Sequence, residues 1–267
     1  MNDEGLRGRV FLVTGSGRGL GAAIARAACA EGARVVLNCR RDGAQLEALA
    51  HELAAAGAEV LAIPADVTVF EEARALVERT VARWGRLDVL INTVGGLRWK
   101  ALADLDPAEW RRLVASNLDS VFHMCRLAVP RMREQRFGRI VNLAAVGAAY
   151  TLGEPQMAAY SAAKAAVVAL SRALALEEAR RGITVNVVSP GLLDDEPGTG
   201  ATPMPSASPL PKAKASASPV PKALEDRVPV GHAGHASDVV RAVLFFASPA
   251  AEFVTGQVIE VAGGARS

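Results

Sequence analysis

The chain lacks what a nucleic-acid or membrane-surface protein normally carries. Across 267 residues the charges nearly cancel, with 30 Lys+Arg against 28 Asp+Glu for a net +2. A binder of nucleic acid or of an acidic membrane shows a large basic excess, so neither partner is expected. Aromatic residues are 4% of the chain, too few to build the stacking platforms that single strands require. The three cysteines, Cys29, Cys39 and Cys125, are far apart and form no C-x-x-C pair. That pattern argues against a disulfide framework or a zinc site and suits buried thiols in a reducing, cytoplasmic compartment. The sequence reads as having no run of about 18 apolar residues, so no membrane span is expected. The opening residues MNDEGLRGR are too charged for a signal peptide. His232 and His235 stand among glycines with no cysteine nearby, and no metal is expected.

What the chain does have is a rhythm. Short β-branched runs at 9–14, 34–38, 59–63 and 87–91 alternate with helical stretches at 19–31, 44–56 and 70–84, each closed by a glycine. Further helices are expected at 107–116, 121–135, 158–181 and 238–247, and further strands at 139–143, 183–188 and 257–261. A strand, a turn and a helix recurring about every 25 residues is βαβ arithmetic. It predicts a doubly wound, Rossmann-type α/β fold, with a parallel sheet of about seven strands and helices on both faces.

The rhythm breaks at 194–224, where Ala207-Ser-Pro-Leu-Pro-Lys-Ala213 and Ala217-Ser-Pro-Val-Pro-Lys-Ala223 nearly repeat. A Pro/Ala/Ser-rich stretch with few bulky apolar residues cannot repay its ordering entropy. A flexible insert is expected there, within a single domain spanning 1–267.

Thr14-Gly15-Ser16-Gly17-Arg18-Gly19-Leu20-Gly21 follows the first strand. Glycines there allow a tight turn and let a pyrophosphate approach the backbone, with the next helix N-terminus facing it. A plain tight turn is the bland alternative. The second strand ends Asn38-Cys39-Arg40-Arg41. With Arg18, these arginines suit a 2′-phosphate and favour NADP(H) over NAD(H), while Asp42, one step on, would favour NAD. Tyr160 and Lys164 lie one helical turn apart on one face. A fixed cation beside a phenol is expected to lower its pKa, which suits a proton donor to a carbonyl oxygen.

Together these motifs resemble the short-chain dehydrogenase/reductase family over essentially the whole chain outside the insert. Thr14–Gly21 matches its T-G-x-x-x-G-x-G. The resemblance implies that Asp66 and Val67 contact adenine, that Asn92 and Gly95 belong to its N-N-A-G turn, and that Asn117 anchors a relay water. It makes Tyr160 the acid and gives Lys164 a second role on the nicotinamide ribose. Pro190 and Gly191 match its P-G after strand six. Backbone groups near Leu193 would reach the carboxamide, where relatives often have threonine. A homotetramer or homodimer is implied, built through the helices carrying Asn117 and Tyr160.

One departure stands out. Where the family has a catalytic serine, this chain has Ala145, and no serine occurs between Val121 and Tyr160. Tyr150, Thr151 and Gln156, in a loop about two residues longer than usual, are the candidate substitutes. Arg98-Trp99-Lys100 lies near the expected cleft mouth and would suit an acidic or carrier-linked substrate, although a solvated loop is the plainer reading. The resulting expectation is an NADPH-dependent oxidoreductase acting on a carbonyl or imine of a small or carrier-linked molecule. The alternative is an NADPH-binding sensor or scaffold subunit weakened by the missing serine.

Overall fold

The computed structural model describes residues 5–40, 43–194 and 225–265. Strands β1 (Val10–Thr14), β2 (Arg34–Leu37), β3 (Val60–Ala62), β4 (Val89–Asn92), β5 (Gly138–Leu143), β6 (Ile183–Pro190) and β7 (Val258–Val261) form one sheet. Every pairing is parallel, in the order β3-β2-β1-β4-β5-β6-β7. The fold is therefore the doubly wound α/β architecture expected from the rhythm.

Seven α-helices flank it among the described residues: α1 (Gly19–Ala30), α2 (Gly43–Ala55), α3 (Phe70–Trp84), α4 (Pro107–Val114), α5 (Ser120–Gln135), α6 (Ala158–Glu178) and α7 (Ala236–Ala247). The strands alternate their side chains between two cores. Phe11, Val13, Val35 and Ile91 pack with Ile24, Leu46 and Phe246 of α1, α2 and α7. Leu12, Val36, Leu90 and Ile140 pack with Leu76, Met124 and Val167 of α3, α5 and α6. A period of two feeding both faces is what a sheet covered on each side requires.

Two details differ from the sequence expectation. No break separates helices at 107–116 and 121–135; α4 and α5 are joined through a π-helical turn, Ala115–Asp119. The polar run Ser-Asn-Leu-Asp-Ser reads as a terminus, but Ser116 and Ser120 turn their hydroxyls back onto Leu113 O and Ser116 O. In addition, Ala158–Arg181 is long and apolar enough to cross a membrane by length and composition, with a mean hydropathy of 1.3. In the fold it packs Val167, Val168 and Ala175 into the core and buries Lys164, Ser171 and Glu178, so one face of it is a core face while Leu176 stays exposed.

Buried amides fix α6 relative to the sheet. Asn92 Nδ2 donates to Asn142 Oδ1 at 2.8 Å, and Asn142 Nδ2 donates to Ser171 Oγ at 2.9 Å. Ser171 in turn donates to Val167 O at 2.6 Å. β4, β5 and α6 thus share one chain of satisfied polar groups, which specifies a register more sharply than apolar contact. The segment expected to be a flexible insert lies outside the described residues except for Asp194. At its base, Asp194 N donates to Gly234 O at 2.8 Å and Gly234 N donates to Leu192 O at 3.0 Å.

Candidate active site

Strand order reverses at β1, which pairs with β2 on one side and β4 on the other. Ligands of open α/β sheets bind at this switch point, outside the carboxyl ends of the strands. A cleft of about 1060 Å³ opens there, lined by Gly15, Gly19, Leu20 and Gly21 of the first turn. Gly15 adopts φ +67°, and a Cβ on Gly21 would lie 2.5 Å from Gly15 O. Arg18 precedes α1 with extended backbone and no side-chain cap, so the first-turn N–H groups stay free for an anion.

Asn38, Arg40, Asp66 and Val67 line the cleft on the β2 and β3 side. Arg40 Nη1 lies 3.5 Å from Asp66 Oδ2. Burial raises the Asp66 pKa, but hydrogen bonds from Thr68 and the Arg40 charge outweigh it and hold the carboxyl below its ordinary value. Arg41 and Asp42 lie outside the described residues. Arg112 of α4 also lines the cleft. Sequence reading missed it because no motif in the chain marks α4 as part of the cleft.

Several expected site residues line neither the cleft nor the smaller cavity described below. Thr14 ties β1 to β4: its Oγ1 donates to Ile91 O at 3.4 Å and accepts from Thr93 N at 3.2 Å. Ser16 Oγ accepts from Asn38 N at 2.8 Å, bracing the turn against β2. Asn92 is spent on Asn142. Pro190 ends β6, and Gly191 is there because Ala262 Cα would stand 2.7 Å from a Cβ. Gly95 and Leu193 do line the cleft.

Asn117 sits in the π turn, fully buried, its Nδ2 donating to Gly96 O at 2.7 Å and Leu113 O at 2.9 Å. Its Oδ1 is buried without a hydrogen-bond partner. A Cβ on Gly95 would fall 2.6 Å from that oxygen and 3.3 Å from Lys164 Nζ, so both atoms face the same small gap. Lys164 is buried and donates to Leu143 O at 2.8 Å. Its Nζ lies 5.7 Å from the Tyr160 ring centroid.

Tyr160 and Lys164 line a second, water-sized cavity of about 30 Å³, together with Ala145, Val146, Ala148, Leu152, Glu154, Met157 and Ser161. The expected lowering of the phenol pKa is reversed here. Burial pushes Tyr160 up to about 12 and Lys164 down to about 8. At this separation, with the ammonium turned to Leu143 O, desolvation outweighs the charge. A phenol held protonated at neutral pH is suited to giving up a proton as an oxygen beside it becomes basic.

The mouth is also less basic than its sequence suggests. Lys100 Nζ lies 2.6 Å from Glu109 Oε2, and Arg98 Nε 3.7 Å from Glu109 Oε1. Among the described residues no three His, Cys, Asp or Glu side chains cluster as metal ligands.

These features define a nucleotide-linked oxidoreductase class, and the chain belongs to the short-chain dehydrogenase/reductase family. A family model described as enoyl-(acyl carrier protein) reductase matches residues 15–266. The 3-oxoacyl-(acyl-carrier-protein) reductase of Staphylococcus aureus is 35% identical over 253 residues, covering 95% of this chain and 96% of its own length. An uncharacterized oxidoreductase of Methylorubrum extorquens is 37% identical over 261 residues, covering 98% and 99%. A solved double mutant of a Serratia marcescens short-chain dehydrogenase/reductase superposes with TM-score 0.83 at 30% identity, covering 97% of this chain and 98% of that one.

Proposed function

We propose that this oxidoreductase reduces a carbonyl or imine of a small or carrier-linked substrate using NADPH. The observation that carries the reading is the pairing of a half-buried Tyr160, kept protonated by desolvation, with buried Lys164 beside the orphaned Asn117 Oδ1. When bound, the reduced nicotinamide supplies the hydride. The glycine turn and the free N–H groups of α1 fit a pyrophosphate, and Arg18 and Arg40 fit a 2′-phosphate. Tyr160 donates its proton to the substrate oxygen. Lys164, held by Leu143 O, keeps a positive charge near that oxygen and the ribose. Asn117 Oδ1 accepts from a water that hands a proton back through Lys164.

The sheet draws strands from both sides of 194–224, which supports one cofactor-binding domain interrupted by an insert. Exposed Trp110 and Phe122 on α4 and α5 and exposed Leu176 on α6 support a homotetramer or homodimer built on those helices. None of the three cysteines is in a disulfide, in keeping with a cytoplasmic enzyme.

A panel of ketones, β-ketoacyl thioesters and cyclic imines, assayed by loss of NADPH absorbance, tests the reading. Turnover of at least one class is expected, with Tyr160→Phe abolishing it while NADPH still binds. Full turnover by Tyr160→Phe removes the proposed acid. A panel with no turnover despite tight NADPH binding favours the sensor reading, for which Ala145 is the motivating residue.

A further inference from the structure

A carbonyl that receives hydride gathers negative charge on its oxygen. One donor, Tyr160, gives up its proton there. A second donor that keeps its proton stabilises the transition state further. Ala145, beside Tyr160 in the small cavity, offers a methyl group. The three loop residues expected to substitute for it do not line that cavity. Tyr150 is 66% exposed. Thr151 Oγ1 donates to Tyr150 O at 2.6 Å. Gln156 is held by its own carbonyl, which accepts from Lys100 N at 2.7 Å.

The cavity wall narrows the choice. Its backbone donors at Ala148, Leu152, Met157 and Ser161 are already given to Ala145 O, Gly147 O, Glu154 O and Met157 O. Glu154, as a carboxylate, accepts only and would repel a developing alkoxide. Lys164 is committed to Leu143 O. The remaining side-chain donor is Ser161, whose hydroxyl has no hydrogen-bond partner among the described residues. It stands on the first turn of α6 directly after Tyr160, so the same rigid element positions both groups.

We propose that Ser161 is the second hydrogen-bond donor to the reacting oxygen, filling the role that Ala145 leaves without a hydroxyl. This rests on Tyr160 being the acid. In the step, hydride from the reduced nicotinamide forms the new C–H bond and the C=O π pair moves to oxygen. The Tyr160 proton completes the alcohol, and the Ser161 O–H bond stays intact.

The test is a double-mutant cycle of Ser161→Ala and Ala145→Ser, read as kcat and KM for a ketone substrate with NADPH affinity measured alongside. Ser161→Ala should lower kcat by roughly 10²- to 10³-fold, the loss seen for one oxyanion donor, with NADPH affinity unchanged. Adding Ala145→Ser should recover most of that loss, because the new hydroxyl enters the same cavity. A wild-type kcat in Ser161→Ala overturns the proposal. So does a loss of kcat that comes with weakened NADPH binding and is not rescued by Ala145→Ser, since that marks a structural role. Tyr160→Phe separates the two readings: if it is inactive while Ser161→Ala is unchanged, this inference alone falls. If Tyr160→Phe keeps full rate, both fall together.

Discussion

Gly95→Ala isolates the gap between Asn117 and Lys164. Gly95 is not among the left-handed glycines, so alanine imposes no backbone strain, and the whole effect comes from one methyl group. That methyl would stand 2.6 Å from Asn117 Oδ1, where ordinary contact begins near 3.4 Å. Relief requires a displacement of about 0.8 Å by the amide or the lysine. Misplacing a reacting group by about 1 Å costs roughly 10²-fold in rate. Overpacking of this kind costs about 1–3 kcal/mol of stability, and each kcal/mol lowers Tm by roughly 2–4 °C in a chain of this size. Gly95→Ala should therefore stay folded, melt a few degrees lower and lose about two orders of magnitude in kcat. Gly96→Ala is the graded comparison, because its methyl would meet Ser116 Oγ at 3.3 Å, a slightly tight contact that a small shift relieves, and should cost much less. Steady-state kinetics with a thermal melt on both variants decides the matter. Wild-type kcat in Gly95→Ala would refute the idea that this gap carries the proton relay.

Three other outcomes follow from the same geometry. Arg40→Asp removes a charge-assisted bond worth about 1.5–3 kcal/mol, so NADPH should bind roughly 10- to 100-fold more weakly with NADH little changed; equal losses for both in calorimetry would count against the 2′-phosphate role. Burial brings Lys164 down to about 8 when folded, below its ordinary value of 10.5, so the unfolded chain holds more protons between those values and wild-type stability should rise with pH there. Lys164→Met lacks that term, on the order of 3 kcal/mol, and denaturant titrations at pH 7 and 10 should show its stability relative to wild type falling as pH rises. A gap independent of pH would show that the lysine is not desolvated. Asn142→Ala leaves Asn92 Nδ2 only its 3.7 Å contact with Cys125 Sγ and unties Ser171, which should cost about 1–3 kcal/mol in chemical denaturation and lower kcat through the shifted α6; an unchanged Cm would remove the amide chain as the positioning device.

The sheet was legible because its signal is local. Each strand needs only a few β-branched residues, and each glycine closes a neighbouring helix. The cradle was legible for the same reason, since Gly15 and Gly21 act on each other within one turn. The roles of Ser16 and Asn92 were not, because their partners Asn38 and Asn142 lie 22 and 50 residues away. Glu109 silences Arg98 and Lys100 across a loop, so counting cations along the sequence overstated the mouth's charge. The direction of the Tyr160 shift was missed for a different reason. The i, i+4 spacing shows which groups are neighbours, whereas desolvation depends on everything packed around them.

The π turn at Ala115–Asp119 works as a phase setting on a helical clock. An α-helix advances about 100° per residue, so the extra residue in that turn fixes the angle at which α5 meets the sheet. Met124, Cys125 and Met132 face the core at that angle. Deleting a residue to restore plain α-helix would rotate all three toward solvent at the same time as it withdrew Asn117 from its gap. Relay position and core packing are therefore set by one dial, and selection on either holds the other in place.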